Sequence, residues 1–350
     1  MRVDGRWAFV DVRVFDGTAL LEDQTVFVEG ALIAWVGDAG AAPPLDDWAQ
    51  VTGSGRTLLP GFIDAHVHLG LRDPRTVLAG GVTSARDLGW APEEIFVLAM
   101  ELRTNVVAGP LVLAAGPMLT ARRGYPTRAG WGPAATGLEV ESEEAARHAV
   151  RSLADRGACV IKVAQEPRGG PTLPDSILRA IVNEAHLAGL GVASHVGSLA
   201  ELARAVAGGV DELAHGLWSE EVIPDQLLHR MVDAGVVVTP TLHIAPTRTR
   251  LANLGRFVAA GGRVIYGTDM GNFGIPPSID PEELRLMEVA GIPRLAVLAA
   301  ATSLAADHLG LGGRGRIVGG AIADLVLVQG ELPDALARPV LVMREGRRAR

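Results

Sequence analysis

Residues 60–70 have the sequence PGFIDAHVHLG, in which a short apolar run ends at two histidines placed two positions apart. Proline and glycine bound the run, and its length is that of a buried β-strand over residues 61–66. Because side chains alternate across a strand, His66 and His68 are expected to project from the same side. Two imidazoles that converge in this way can share a divalent metal ion, and two histidines that are merely satisfied at a strand edge have the same spacing.

Apolar runs of the same kind recur along the chain, and a helical pattern follows each of them. Parallel strands that are joined by helical crossovers produce this alternation. From residue 60 onward the units occupy roughly 250 residues, which is the usual size of a (βα)8 TIM barrel in the α/β class. The eight predicted strands are residues 61–66, 82–87, 111–116, 159–164, 191–195, 210–215, 236–241 and 263–268.

Several predicted helices carry recognisable ends. Ser198 and Asp280 are typical N-cap residues, and the proline after Asp280 suits the first helical position. One helix is predicted over residues 139–156 and another over residues 174–189, and a glycine lies at or near the end of each. These ends support the alternation of strands and helices.

Both ends of the chain differ from its middle. Residues 3–37 and 314–345 alternate short strand patterns with turns, and neither segment is long enough to be a stable domain by itself. The two segments are therefore predicted to combine into one small β-sandwich beside the barrel. This division places the sandwich in residues 1–57 and 312–350 and the barrel in residues 58–311.

The composition restricts the class of protein. A hydrophobic fraction of 48% and a charged fraction of 21% over 350 residues are those of a folded chain with ample core. The net charge of −8 argues against a nucleic-acid partner, because such affinity depends on clustered cations. No apolar run approaches the ~20 residues of a membrane span, and the first residues lack the apolar segment of a secretory signal. The single cysteine, Cys159, fits a reducing compartment, so a cytoplasmic location is predicted.

Lysine is almost missing from the chain. Of the 32 lysine and arginine residues only Lys162 is a lysine. An arginine bias explains the depletion but does not explain the exception, which is either a remnant or a residue that chemistry requires. A buried lysine amine can lose its proton and react, whereas a guanidinium stays charged, so the chemical interpretation is favoured.

The reactive residues share one position relative to the predicted strands. Lys162, His195 and His215 lie at the ends of the fourth, fifth and sixth strands. Asp269 follows the eighth strand. In a barrel these carboxyl ends form one face, which is where the active site is found. His243 follows the seventh strand, and a substrate contact and a structural role are equally expected for it.

Taken together, these residues resemble the amidohydrolase superfamily in its binuclear-metal form, and within it the imidazolonepropionase-like and Xaa-Pro dipeptidase-like groups. The resemblance extends over nearly the whole chain. The matching segments are VFDG at residues 14–17, PGFIDAHVHLG at 60–70, GGVTSARDLG at 80–89, IKV at 161–163, SH at 194–195, AHG at 214–216, YGTD at 266–269 and ADLVL at 323–327.

The resemblance implies a site for two divalent metal ions. The implied ligands are His66, His68 and Asp269 for one ion, His195 and His215 for the other, and Lys162, carboxylated by carbon dioxide, as the bridge between them. Zinc is the default expectation, although such ligands also accept manganese, cobalt or iron. Asp269 is the expected general base. Arg86, near the end of the second strand, is a less favoured candidate, which would hold the ligands in position without binding the metal itself.

The predicted activity is hydrolysis of a C–N bond in a small-molecule amide, cyclic amide, N-acyl amino acid or dipeptide, by attack of a metal-bridging hydroxide. A lactonase or esterase on the same binuclear site is the alternative, since the same nucleophile attacks either carbonyl. A one-metal deaminase is less favoured, because the resemblance implies that such enzymes lack the lysine of the fourth strand. A non-catalytic scaffold is least favoured, because every ligand position is filled. The resemblance also allows a homo-oligomer.

The loop after the third predicted strand departs from the family pattern. Residues 121–126 have the sequence ARRGYP where relatives often have Gly-Gly-His. Guanidinium groups bind carboxylates well, so one hypothesis is a substrate with an acid group, and the other is a solvated arginine loop. The candidate substrate contacts are Arg122, Arg123, Tyr125 and Arg128, with Trp131 beside them, and His243.

Overall fold

The computed structural model describes residues 5–105 and 108–349. The chain has an α/β fold that combines helices with sheets of parallel strands, and a further sheet is built from both chain ends. In chain order the strands are β1 (Arg6–Phe15), β2 (Leu20–Glu29), β3 (Leu32–Asp38), β4 (Ala49–Thr52), β5 (Arg56–Pro60), β6 (Phe62–Val67), β7 (Val82–Asp87), β8 (Leu111–Ala114), β9 (Met118–Thr120), β10 (Gly137–Glu139), β11 (Ile161–Gln165), β12 (Val192–Val196), β13 (Glu212–Ala214), β14 (Val237–Thr239), β15 (Arg263–Val264), β16 (Leu325–Gln329), β17 (Leu341–Arg344) and β18 (Arg347–Arg348). The helices are α1 (Pro74–Ala79), α2 (Pro92–Arg103), α3 (Glu143–Asp155), α4 (Asp175–Leu187), α5 (Leu199–Gly208), α6 (Asp225–Asp233), α7 (Arg248–Ala259), α8 (Pro281–Val289), α9 (Arg294–Ala300) and α10 (Ser303–His308).

The two ends of the chain meet in one sheet, whose strand order is β18-β17-β16-β5-β1-β2-β3 with β4 beside β1. Strand β16 pairs antiparallel with β5 in a register that places Leu325 opposite Pro60. Apolar side chains from both ends, including Phe9 and Met343, pack in one buried cluster. Because β5 leads directly into residues 60–70, this sheet anchors the start of β6.

The parallel strands form two sheets, β6-β7-β8 and β10-β9-β11-β12-β13-β14-β15. Every predicted strand of the alternating region overlaps an observed strand, and β7 has the predicted bounds. The register of the second sheet aligns Lys162 with Ala193 and, on the next strand, with Glu212. It aligns Ala164 with His195. Because neighbours in register project from the same face, Lys162 and His195 lie on one face near the carboxyl ends of their strands.

The segment after β8 is more elaborate than the sequence predicted. Strands β9 and β10 follow β8, and β9 is the neighbour of β11. The helix predicted over residues 139–156 starts later, at Glu143, because the Ser142 side chain accepts a hydrogen bond from Ala145 N and caps α3 there. A long loop, residues 121–136, therefore connects β9 to β10.

The N-caps predicted at Ser198 and Asp280 are confirmed. Each side chain accepts a backbone hydrogen bond from the first turn of its helix, Ser198 from Glu201 N and Asp280 from Glu282 N. Across the described residues, no helix combines the length and the apolar character that crossing a bilayer requires.

Candidate metal centre

Three of the predicted ligands lie within reach of a single ion. One donor atom from each of His66, His68 and Asp269 lies within 4.8 Å of the other two, and all three residues are buried. The Nε2 atoms of His68 and His66 lie 3.1 Å and 3.5 Å from Asp269 Oδ1. His68 Nδ1 donates to the carbonyl oxygen of Gly89 at 3.0 Å, because a carbonyl can only accept. This hydrogen bond leaves Nε2 of the neutral His68 ring with its lone pair on the Asp269 side.

A buried carboxylate brings these three residues together. Asp64, in β6, accepts hydrogen bonds from His66 N at 3.1 Å and from Thr268 N at 3.1 Å and Oγ1 at 2.5 Å. Backbone bonds from Asp269 N to His66 O and from His68 N to Met270 O complete the link. The end of β6 and the segment after β15 are thereby held side by side. Sequence analysis missed this role of Asp64, although its position two residues before His66 places it on the same side of the strand.

The two remaining histidines lie next to this group. The ring centroid of His215 is 4.5 Å from that of His66 and 4.8 Å from that of His195. His215 Nδ1 is 2.8 Å from the Thr241 hydroxyl and 3.8 Å from Asp269 Oδ2. Four of the predicted ligands therefore form one contiguous cluster of imidazoles around Asp269.

Lys162 is fully buried in the same region. Burial lowers the pKa of its amine to about 7, although the nearby carboxylates of Asp269 and Glu212 raise it. Within residues 5–105 and 108–349, Lys162 Nζ, both ring nitrogens of His66 and Asp269 Oδ1 make no hydrogen bond. Buried polar atoms without partners each cost about 1–3 kcal/mol, so their concentration at one place is typical of a ligand-binding site. Imidazoles and a carboxylate are donors that suit a divalent metal ion.

The electrostatics keep most of these imidazoles neutral. Burial, together with the positive charge of Lys162, lowers the pKa of His66 and His195. Burial also lowers the pKa of His215. For His68 burial acts in the same direction, but the nearby carboxylates of Asp269 and Asp87 outweigh it and raise the pKa. Neutral imidazoles are the form that binds a metal ion.

A buried carboxylate that sequence analysis missed contacts one of the histidines. Glu166 follows β11 directly, and its Oε2 lies 3.2 Å from His195 Nε2. Burial raises the pKa of Glu166, but hydrogen bonds from His195 and Arg168 outweigh it and lower the pKa to about 2. Glu166 could have been identified in the sequence, because it directly follows the strand that carries Lys162.

Aromatic rings surround the histidines. The ring centroid of Trp131 lies 4.7 Å from that of His68, and the Tyr125 ring lies 5.3 Å from that of His195. Trp218 lies 5.0 Å from His215. Burial raises the pKa of Tyr125 to about 12, so its hydroxyl stays protonated at neutral pH. Sequence analysis did not single out Trp218, which lies three positions after His215.

The arginines of the loop between β9 and β10 are placed differently from the aromatic residues of that loop. Arg122, Arg123 and Arg128 are exposed. Arg122 Nη1 lies 3.7 Å from Glu141 Oε2, in a pair whose side chains are 71% and 61% exposed. Of the predicted contacts in this loop, Tyr125 therefore lies against the cluster and the three arginines face solvent.

His243, in the loop between β14 and α7, contacts residues at the start of α8. Its Nδ1 is 2.6 Å from Asp280 Oδ2, and its backbone N donates to Glu283 Oε2 at 2.7 Å. Asp280 is also the N-cap of α8, so His243 ties the loop after β14 to that helix. These contacts fit the structural one of the two roles expected for His243, and a substrate contact stays a prediction.

Arg86 is buried behind the histidines. Its Nε donates to Ala65 O at 2.8 Å, and its Nη2 donates to Glu212. Glu212 also accepts from the Thr239 hydroxyl at 2.6 Å and contacts His308 Nε2 at 2.8 Å. Arg86 thus connects β7 to β13 through the carboxylate that lies in register with Lys162.

Comparison with known proteins identifies the family of this chain. A sequence profile of the amidohydrolase family matches residues 57–348. An imidazolonepropionase of Arthrobacter sp. (strain FB24) is 46% identical over 57 residues, which are 16% of this chain and 14% of that enzyme. The alignment with this curated relative therefore spans only a small part of either protein.

Solved structures match the chain over almost its full length. A crystal structure of an amidohydrolase has a TM-score of 0.84 and 25% identity, with 98% of each chain covered. A prolidase complexed with N-methylphosphonate-L-proline has a TM-score of 0.82 and 26% identity, with 98% of this chain and 99% of that chain covered. Because the family profile matches most of its length, this chain belongs to the amidohydrolase family of hydrolases, as the sequence predicted.

Proposed function

We propose that this protein is a metal-dependent hydrolase that cleaves a C–N bond in a small amide, cyclic amide, N-acyl amino acid or dipeptide. The observation that carries the proposal is the buried convergence of His66, His68 and Asp269 beside the amine of Lys162. Family membership supports the reaction class. The prolidase complexed with N-methylphosphonate-L-proline makes a dipeptide that ends in proline one specific candidate substrate.

The proposed cofactor is a pair of divalent ions, with zinc as the first metal to test. The proposed ligands are His66, His68 and Asp269 for one ion, His195 and His215 for the other, and the carbamate of Lys162 between them. The bound ions would supply Lewis acidity that activates a water molecule and polarises the scissile carbonyl. A buried amine whose pKa is lowered to about 7 is neutral in about half of the molecules near pH 7, and the neutral amine is the form that can add carbon dioxide.

The side chains of the site have separable roles in this proposal. Asp269 is the general base that takes the proton of the attacking water and returns it to the leaving nitrogen. Its Oδ1 faces the cluster and makes no hydrogen bond in the described part of the chain. Tyr125 carries a protonated hydroxyl and is a hydrogen-bond donor at the edge of the site. The rings of Trp131 and Trp218 exclude water from the histidines, which strengthens every charge interaction there.

We further propose that the two sheets of parallel strands close into a (βα)8 barrel. Backbone hydrogen bonds support the closure at both edges. Cys159 N donates to Ala114 O at 2.9 Å, between the start of β11 and the end of β8. Ala65 N donates to Tyr266 O at 3.0 Å, between β6 and the segment after β15.

The division into domains is also a proposal. The barrel would occupy residues 58–311, and the ends of the chain, residues 1–57 and 312–350, would form the small β-sandwich domain. Support comes from the separate apolar cluster that the two ends share. A cytoplasmic location and a homo-oligomeric state stay predictions from the sequence.

The activity is tested with zinc-reconstituted protein and two substrate panels, one of amides and dipeptides and one of lactones and esters. The expected result is turnover on the first panel by protein that holds about two zinc equivalents per chain, loss of turnover on chelation, and recovery when zinc returns. Turnover confined to the second panel would replace the proposal by the lactonase alternative. Protein that retains no metal after growth in metal-replete medium would instead indicate a scaffold.

The role of the loop arginines is tested on the best substrate of that panel. Replacing Arg122, Arg123 and Arg128 in turn by alanine is expected to leave KM within about threefold, because exposed charges contribute little. The matched change within the loop is Tyr125→Leu, which is expected to raise KM because Tyr125 lies against His195. A tenfold rise in KM for any one arginine variant would support the alternative hypothesis, a substrate with an acid group.

A further inference from the structure

The ring of His195 is anchored through one of its two nitrogens. Its Nε2 lies 3.2 Å from Glu166 Oε2, and both residues are buried. An ionised carboxylate can only accept a hydrogen bond, so the proton of the neutral ring resides on Nε2. The lone pair is then on Nδ1, which is the atom that remains to bind a metal ion.

Glu166 is itself held in place by the residues that follow it. Its Oε1 accepts from Arg168 N at 3.0 Å and from Arg168 Nε at 3.1 Å, and its Oε2 accepts from Arg168 Nη2 at 3.2 Å. These bonds close the short turn Pro167–Gly169. A Cβ atom at Gly197 would lie 2.6 Å from the Glu166 carboxylate, so a side chain at that position would displace it. Glu166 is therefore confined on both sides.

His215, the other histidine proposed for the same ion, has a different partner. Its Nδ1 lies 2.8 Å from the hydroxyl of Thr241. A hydroxyl can donate or accept, so Thr241 orients the ring without determining which nitrogen carries the proton. Among the two ligands proposed for that ion, His195 is the one whose tautomer is set by a carboxylate.

We propose that Glu166 is a positioning residue, which holds His195 in the Nε2-protonated form with Nδ1 available as the metal ligand, and that Arg168 holds Glu166. This inference rests on the proposed function, because it concerns one of the two proposed metal ions. Carboxylates that orient a metal-binding histidine typically change metal affinity by about 10- to 100-fold.

The experiment measures zinc affinity by chelator competition in wild type, Glu166→Gln and Glu201→Gln. Glu201 is the matched control, because it is equally buried and pairs with an arginine, Arg204, at 2.8 Å but contacts no site histidine. Glu166→Gln is expected to weaken the affinity for one of the two zinc ions by about 10- to 100-fold and to leave the affinity for the other unchanged. Glu201→Gln is expected to bind both ions as wild type does.

Arg168→Ala keeps the test informative if Glu166→Gln does not fold, because the Arg168 side chain is 63% exposed. The Arg168→Ala variant is expected to weaken the affinity for the same zinc ion by a smaller factor. In the metal-free wild type, the nitrogen chemical shifts of His195 are expected to be those of the Nε2-protonated ring. Wild-type zinc affinity in both Glu166→Gln and Arg168→Ala would overturn the positioning role. Failure of the wild type itself to bind two zinc ions would instead overturn the proposed function.

Discussion

Replacing Lys162 by alanine is expected to lower kcat/KM by roughly 1,000-fold or more, which is about 4 kcal/mol of transition-state stabilisation. Lys162 is fully buried, and its amine makes no hydrogen bond in the described part of the chain while it lies among the proposed ligands. Without the amine the proposed carbamate cannot form, so the proposed pair of metal ions would lose the ligand that they share. The measurement is kcat/KM on the best substrate of the panel together with the zinc content per chain.

Two control variants separate the chemistry of Lys162 from its packing. Lys162→Met retains much of the side-chain volume, and Lys162→Arg retains a positive charge that cannot be carboxylated. Both are expected to be as inactive as Lys162→Ala. Thermal unfolding of each variant shows whether the loss reflects the site or the fold. An alanine variant that keeps its activity and one zinc ion would favour the one-metal deaminase instead.

The second large effect is expected on stability. Arg86→Met is expected to lower the free energy of unfolding by about 3–5 kcal/mol, because removal of one partner leaves a buried charge uncompensated. Arg86 and Glu212 are each 2% exposed, and Glu212 accepts hydrogen bonds from both Arg86 and Thr239. The measurement is denaturant unfolding of the metal-free protein, so that zinc binding does not contribute.

A matched surface pair provides the control for this measurement. Arg151 Nη1 lies 2.9 Å from Glu184 Oε1, between α3 and α4, with the arginine 53% exposed. Arg151→Met is expected to change the free energy of unfolding by less than ~1 kcal/mol. Combining Arg86→Met with Glu212→Gln is expected to recover part of the loss, because the unpaired charge is removed. A denaturation midpoint of Arg86→Met equal to that of the wild type would contradict the proposed role of the buried pair.

The alternation of strands and helices was predictable because it depends on local periodicity. The apolar runs that gave β6, β7 and β11 need only a window of several residues, and the side-to-side alternation within β6 already placed His66 and His68 together. The helix predicted from residue 139 started too early, because the pairing of β10 with β9 involves residues distant in sequence and overrode the local helical pattern.

The partners of the site residues could not be predicted in the same way. Glu166 is 29 positions from His195 and Arg86 is 126 positions from Glu212, so each contact depends on the register between strands. The orientation of the arginine loop was equally hidden. The spacing of Arg122, Arg123, Tyr125 and Arg128 has no period that shows which side chain faces the histidines, and in the structure the Tyr125 ring lies against His195.

Amino-acid order alone determined the fold class, the amidohydrolase family and the set of candidate ligands, because strand periodicity and short motifs are properties of neighbouring residues. Only the tertiary structure decided that Asp64 holds the end of β6 beside the segment after β15, that Glu166 contacts His195 and that the loop arginines face solvent. These features arise where distant segments pack against one another, and packing is a property of the folded chain as a whole.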